Sequence, residues 1–290
     1  MIIIANKPGQ LGNRLLVFAG FMALAMEKQI TILNPSLDEY ADFFETTKTD
    51  LFCRYPHRRS RIQPGKTLRR WLYQSAYYAA RLLAKLGFTG GRIKVIKLDW
   101  EEELRLDDAA FLETIERRQL LFVQGWLFRN ESMVIKNAQR IREFFKPLEH
   151  HRRTIAALVQ EARKDCKLLI GVHLRQGDYK EFLSGKYFYE IEDYRKVIEQ
   201  VVRLFPNTEL TFLICSNVCH DFPSFVNGRI IYGTGQMIED LYALAECDYI
   251  IGPPSTFSLW ASFCGDVPLY FIEDVNAEIT LADFKKGLQR

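Results

Sequence analysis

Between positions 51 and 98 the chain has no aspartate and no glutamate, although twelve Lys or Arg fall there. The 290 residues together carry a net charge of only +3, so the remainder is acidic. Such asymmetry points to a local anionic partner: a membrane surface, a nucleic acid or a charged substrate. Cysteine is sparse. Cys53, Cys166, Cys215, Cys219, Cys247 and Cys264 form no C-x-x-C pair, which argues against zinc ribbons, thioredoxin-type redox sites and disulfide scaffolds. Reduced thiols are the expectation. The five histidines, His57, His150, His151, His173 and His220, show no zinc-ligand spacing. There is no Gly-Lys-Ser/Thr phosphate loop and no G-x-S-x-G nucleophile elbow.

Long apolar runs are missing too. The longest uncharged apolar stretch, 15–26, is twelve residues, whereas a membrane span needs about 20. Ala23-Leu24-Ala25 imitates a signal-peptidase site, but Met1-Ile2-Ile3-Ile4 reads as a first strand and not as a basic leader. A cytoplasmic protein is expected.

What is present alternates strand and helix. The patterns predict strands over 2–5, 30–34 and 120–124 and helices over 13–28, 67–86 and 132–145. A second series follows: strands over 167–174, 210–215, 229–232, 249–252 and 267–271, and helices over 154–164, 191–204, 238–247 and 255–263. Alternation of this kind implies parallel sheets covered on both faces. Length supports about two domains, with the boundary near 146–153, around Pro147 and the polar run 149–153. The expected fold is α/β, two Rossmann-like domains (1–150 and 151–290) facing a cleft, the first with a basic helical insertion at about 51–98. Ligands of such sheets bind at the carboxyl ends of strands.

Three clusters could carry chemistry. Gly9-Gln10-Leu11-Gly12-Asn13-Arg14 lies between the first strand and the first helix. It suits either backbone approach to a ligand or a tight turn with Asn13 as N-cap. In His173-Leu174-Arg175-Gln176-Gly177-Asp178-Tyr179, period two puts His173 and Arg175 on one face at a strand's carboxyl end. A guanidinium there can fork onto a phosphate, or pair with Asp178 as a structural bridge. The third cluster runs over 240–260: Asp240 opens a helix, a strand ends at Gly252, and Pro253-Pro254-Ser255-Thr256 leads into another helix. Hydroxyls and free helix N–H groups can cradle a phosphate, although Ser255 can equally be a plain N-cap. Together the clusters fit a nucleoside diphosphate held without a divalent ion.

These residues resemble a known family. His-Leu-Arg-Gln-Gly-Asp-Tyr is similar to the His-x-Arg-Arg-Gly-Asp-Tyr motif of α-1,2-fucosyltransferases and of the related α-1,6- and protein O-fucosyltransferases. Gly9 to Asn13 is similar to their Gly-Gly-Leu-Gly-Asn, and Asp240 through Ser258 to their C-terminal block, in the same order along the chain. The resemblance implies a GT-B-like fold and an inverting, metal-independent transfer of fucose from GDP-fucose to a glycan hydroxyl, with the donor held mainly by the second domain and the acceptor by the first. It implies that Arg175 grips the β-phosphate, that His173 and Asp240 address guanine, that Ser255, Thr256 and Phe257 wrap the phosphates and fucose, and that Gly12 and Asn13 contribute from the first domain. Asp178 is a candidate base. Gln176 stands where the family often has a second arginine, which leaves open another nucleotide sugar or a non-catalytic sugar-nucleotide or glycan-binding module.

The basic segment resembles nothing in that family. Its helix has Leu68, Trp71, Leu72, Ser75, Ala79, Leu82, Leu83 and Leu86 at helical spacing. It could dock on an anionic membrane that presents a lipid-linked acceptor, pack Leu68, Leu72 and Leu82 as core, or form a polar wall that binds an acidic glycan. Trp71, Tyr73, Tyr77 and Tyr78 lie among the cations but belong to no nucleic-acid-binding motif, so no nucleic acid is expected.

Overall fold

The computed structural model of the chain describes every residue except 63, 88–91, 118–119, 217–227 and 289–290, and only the backbone of Asp178 and Phe182. Gly90, Gly91, Cys219 and His220 thus lie outside the described residues. The chain forms two compact units, Met1–Leu148 and Glu149–Arg290.

The first unit holds strands β1 (Ile2–Ile4), β2 (Ile32–Leu33), β3 (Arg54–Tyr55), β4 (Ile93–Lys97), β5 (Leu104–Arg105), β6 (Leu120–Gln124) and β7 (Phe128–Arg129). Its helices are α1 (Leu11–Lys28), α2 (Glu45–Thr49), α3 (Lys66–Lys85), α4 (Ala109–Arg117), α5 (Glu131–Lys136) and α6 (Ala138–Phe144). A five-stranded sheet runs β3-β2-β1-β6-β4, parallel except for β3. Helix α1 is buried almost all round, as its composition requires, with Leu15, Phe18, Phe21 and Leu24 fully enclosed. Gln29 in the left-handed region (φ 53°) ends it.

The segment 51–98, expected as a basic helical insertion, holds α3 and also supplies both edge strands of the first sheet, β3 and β4. Strand β4, Ile-Lys-Val-Ile-Lys, carries two lysines, which discourage further pairing at a sheet edge. The helix expected over 132–145 is two short ones broken at Asn137 (ψ 15°). The helix expected over 154–164 runs over Glu149–Ala162, so the polar run 149–153 is its first turn and directly follows the division between the units.

The face of α3 is also turned from the one expected. Arg69 and Ala80 are its buried residues, with Leu72, Tyr73, Ala76 and Leu83 half-buried beside them. Trp71 is 60% exposed, Tyr78 63%, Leu82 58% and Leu86 64%, so Leu82 is not core. Arg69 sets this rotation. Its Nη1 donates to the Asp50 carbonyl at 2.7 Å, and its Nη2 to the Thr47 and Lys48 carbonyls at 2.9 Å each. Those carbonyls close the C-terminus of α2, where a buried cation finds both partners and a favourable dipole.

The second unit holds β8 (Leu168–Leu174), β9 (Leu210–Ser216), β10 (Arg229–Tyr232), β11 (Tyr249–Gly252), β12 (Pro268–Phe271) and β13 (Lys285–Lys286). They lie in the order β10-β9-β8-β11-β12-β13, parallel except for β13. Helices α7 (Glu149–Ala162), α8 (Ile191–Leu204), α9 (Met237–Leu244) and α10 (Thr256–Gly265) pack on it. The central strands are apolar on both faces, and Ile170, Val172, Leu174, Phe212 and Ile214 join Tyr194, Val197, Ile198 and Val201 of α8 in one core. The chain leaves β8 toward β9 and β10 on one side and β11 and β12 on the other. The strand order therefore reverses between β8 and β11, the place where doubly wound sheets open a ligand crevice. Among the described residues no helix is long and apolar enough to cross a membrane.

Candidate functional site

The carboxyl ends of β8 and β11 are held very close. A Cβ added at Gly252 would lie 3.0 Å from the His173 Cβ and 3.1 Å from its carbonyl oxygen, so only glycine fits there without displacing backbone. His173, next to last in β8, is buried, and its Nδ1 is 2.7 Å from the Ser258 Oγ on α10. The Phe257 ring lies against the imidazole at 4.8 Å between centroids. Burial, with the Arg175 charge second, drives the His173 pKa down to about 3. The ring is therefore a neutral hydrogen-bonding group at physiological pH and no proton shuttle.

Arg175 is the first residue beyond β8. Its backbone N–H donates to the Tyr194 hydroxyl at 3.2 Å, and its guanidinium lies over the Tyr179 ring at 5.2 Å. Tyr179 in turn donates its hydroxyl proton to the Pro254 carbonyl at 2.9 Å, which ties the loop after β8 to the loop after β11. Gln176 turns inward, and its Nε2 donates to the Tyr189 carbonyl at 3.1 Å. This position thus serves the loop's own structure. Asp178 falls in the short 3-10 turn Gly177–Lys180, but its side chain lies outside the described residues.

Ser255 is the N-cap of α10, and its Oγ accepts from the Phe257 N–H at 3.2 Å. Thr256 and Phe257 follow in the first turn, half-buried. Their position brings a helix N-terminus, with its partial positive charge, to the carboxyl edge that also carries Arg175.

Asp240 lies in the first turn of α9, beyond the ends of β9 and β10. Its Oδ1 accepts from the Thr234 N–H at 2.8 Å. Burial raises its pKa to about 6, against the pull of the Thr234 and Gly235 N–H groups. A buried carboxyl with a raised pKa at a strand-end edge is a functional-site candidate. Beside it, Glu239 pairs with His151 Nδ1 at 2.9 Å, fixing the start of α9 to α7. Sequence reasoning missed this pair and Tyr194, and it gave no role to Tyr179 and Ser258, which lie within the motifs. Only the packing of α7, α8 and α10 on the sheet brings them into contact.

Gly12 and Asn13 belong to the first unit. Asn13 is not an N-cap. Gln10 holds that position, and Asn13 sits inside the first turn of α1 with its side chain over Gly9. Gly9 has φ +52°, and a Cβ there would meet the Asn13 amide at 2.2 Å. Arg14, buried, locks the same loop. It donates to the Gly9 carbonyl from Nε at 3.3 Å and to the Ser36 carbonyl from Nη1 at 3.1 Å, and it pairs with Glu39 at 2.8 Å. Thus His173, Arg175, Ser255, Thr256, Phe257 and Asp240 share the carboxyl edge of the second sheet, while Gly12 and Asn13 follow β1 of the first. Among the described residues no group of three or more His, Cys, Asp or Glu is arranged to hold a metal ion.

No curated protein sequence matches the chain. The solved structure of a mutant of Arabidopsis thaliana FUT1 in complex with GDP is similar to it, with a TM-score of 0.58 and 13% identity over 93% of this chain and 70% of that one. Fucosyltransferase NodZ from Bradyrhizobium is similar with a TM-score of 0.55 and 17% identity over 94% and 95%. POFUT1 in complex with GDP is similar with a TM-score of 0.52 and 11% identity over 92% and 94%. At these identities the likeness shows the fold. The model of glycosyl transferase family 11 matches residues 134–274, which run from α5 to just past β12 and contain the His173, Asp240 and Ser255 clusters. Residues 134–274 thus match the glycosyl transferase family 11 model, which supports glycosyltransferase activity, and the fold is of the GT-B type, with two α/β units.

Proposed function

We propose that the protein transfers fucose from GDP-fucose to a glycan hydroxyl, with inversion and without a metal ion. The observation that carries this reading is the edge between β8 and β11, where Arg175, a neutral His173 and the N-terminus of α10 adjoin. Transfer runs through an oxocarbenium-like state while negative charge builds on the departing GDP. Arg175 and the α10 N–H groups, fixed before the reaction, stabilise that charge more than they stabilise the bound donor. Ser255, Thr256 and Phe257 enclose the diphosphate and the sugar, His173 and Asp240 take guanine, and Gly12 and Asn13 contribute from the first unit, which carries the acceptor. Asp178 takes the acceptor's proton. Donor hydrolysis in EDTA across GDP-fucose, GDP-mannose, UDP-glucose and UDP-galactose is the test. GDP-fucose should turn over fastest. Faster hydrolysis of another donor would give the enzyme a different sugar, and dependence on added magnesium would overturn the metal-free step.

The outer face of α3 supports a peripheral anionic-membrane contact, where a lipid-linked acceptor would be presented. Trp71, Tyr78, Leu82 and Leu86 lie on one exposed side of the helix, and Arg70 and Lys85 of α3 and Arg58 and Arg59 of the loop before it are exposed. Each cation near anionic lipid is worth about 1 kcal/mol. Wild type should pellet with phosphatidylglycerol vesicles but not with phosphatidylcholine vesicles, and salt should release it. Glu at positions 58, 59, 70 and 85 should keep the protein in solution with GDP binding unchanged. Arg69 is unsuited to that test because it is buried. Indifference of wild type to anionic vesicles at low salt would end the idea.

A further inference from the structure

The first sheet has a reversal of its own. The chain leaves β1 toward β2 on one side, and β6 and β4 lie on the other, so the switch point falls between β1 and β6. A pocket of about 640 Å³ opens there, lined entirely by the first unit. Its floor is the pair of strand ends. Asn6 Nδ2 donates to the Gly125 carbonyl at 3.3 Å, and Gln124 Nε2 to the Ala5 carbonyl at 3.1 Å. Gly125 (φ +145°) allows the approach, since a Cβ there would lie 2.7 Å from the Leu98 Cβ. The Asn6 Oδ1 is buried and accepts no hydrogen bond among the described residues.

One wall is aromatic. The Trp100 and Trp126 rings lie 5.2 Å apart, tilted by 33°, with the Trp126 Nε1 donating to the Trp100 carbonyl at 2.8 Å. Trp126 is half-buried and Trp100 is 62% exposed, so a braced indole offers a flat face. The apolar face of a pyranose stacks on such a ring while its hydroxyls reach the polar groups. The cations differ. Lys7 is paired with Asp38 at 2.7 Å and Glu39 at 2.9 Å, and Lys97 lies 3.8 Å from Asp99. Arg81 of α3 has no carboxylate partner among the described residues and lies over the Tyr77 ring at 5.7 Å.

We propose that this pocket is the acceptor subsite and that it takes a pyranose bearing an anionic group, a carboxylate or a phosphate, with the ring on Trp100 and the charge against Arg81. This deepens the reading of the protein as a sugar transferase and rests on it. Saturation-transfer NMR on the full chain tests it, with methyl glucoside, methyl glucuronide and glucose 6-phosphate as probes and GDP calorimetry run in parallel. At least one anionic sugar should bind about tenfold more tightly than the glucoside, and which one does so identifies the anion. Trp100→Ala should abolish saturation of every probe. Arg81→Gln should bring the anionic probe to the level of the glucoside. Both variants should bind GDP as wild type does. Equal binding of charged and neutral probes, no binding of any, or full binding by Trp100→Ala overturns the subsite. Loss of GDP binding in wild type would instead overturn the donor reading and leave the sugar result standing.

Discussion

Arg175→Ala should lower turnover of GDP-fucose by about 10²–10³-fold, the loss seen when one fixed donor to a developing negative charge is removed, or about 2.7–4 kcal/mol of barrier. The fold should survive. The contact that fixes this residue's backbone is its own N–H on the Tyr194 hydroxyl, and the loop is held separately by Tyr179 on the Pro254 carbonyl. Neither bond involves the guanidinium. Arg175→Lys should recover little, because an ammonium is a single point charge and cannot match two phosphate oxygens in a plane. Steady-state kinetics with circular dichroism on the same samples read this out. If the lysine variant keeps wild-type turnover, Arg175 supports the loop and does not act on the leaving group.

GDP should bind more tightly than UDP or ADP, with magnesium chelated, and its affinity should fall as pH drops below about 6. A carboxylate at Asp240 can accept from guanine N1–H and N2–H₂, whereas uracil and adenine leave it unsatisfied at a cost of about 1–3 kcal/mol. The pH dependence follows from its raised pKa. Above about 6 the group is ionised and able to accept both bonds, and below it the group is increasingly neutral. GDP affinity should therefore weaken by up to about tenfold per unit below that value, while UDP affinity stays nearly flat. The sign for folding is opposite. A carboxyl whose folded pKa lies above its unfolded one opposes folding in full above about pH 6, and that penalty fades as pH falls from about 6 into the ordinary carboxylate range. Asp240→Asn should thus be at least as stable as wild type at pH 8 while losing the preference for GDP. Calorimetry in EDTA between pH 5 and 8, with thermal melts, checks both. Equal affinity for the three nucleotides would remove guanine from Asp240.

Much of the second unit was legible because its signals are local. The strand 249–252, the strand 229–232 and the helix 191–204 fall where periodicity and flanking Gly and Pro put them. The first unit was harder. Strands β3 and β5 are two residues each, too short to carry a period. Helix α3 was placed to within a residue, yet its orientation was not. Spacing tells which residues share a face, but not that Arg69 would be buried by carbonyls some twenty positions away. The pocket beside Trp100 and Trp126 left no motif either. Its residues come from three strand ends and a helix that only the sheet order brings together.

Helix α3 also acts as a spacer. Its 20 residues make a rod about 30 Å long and about 10 Å thick. Tyr77, Arg81 and Ala84 line the pocket, about a third of a turn around the rod from Trp71, Tyr78 and Leu82. With the outer side resting on lipid, the pocket would open nearly along the bilayer plane, raised by roughly one helix diameter, ~10 Å. A sugar attached directly to a lipid headgroup would fall short of that height. The thickness of the rod would then select acceptors by reach, admitting only those lifted off the lipid by at least one intervening residue of glycan.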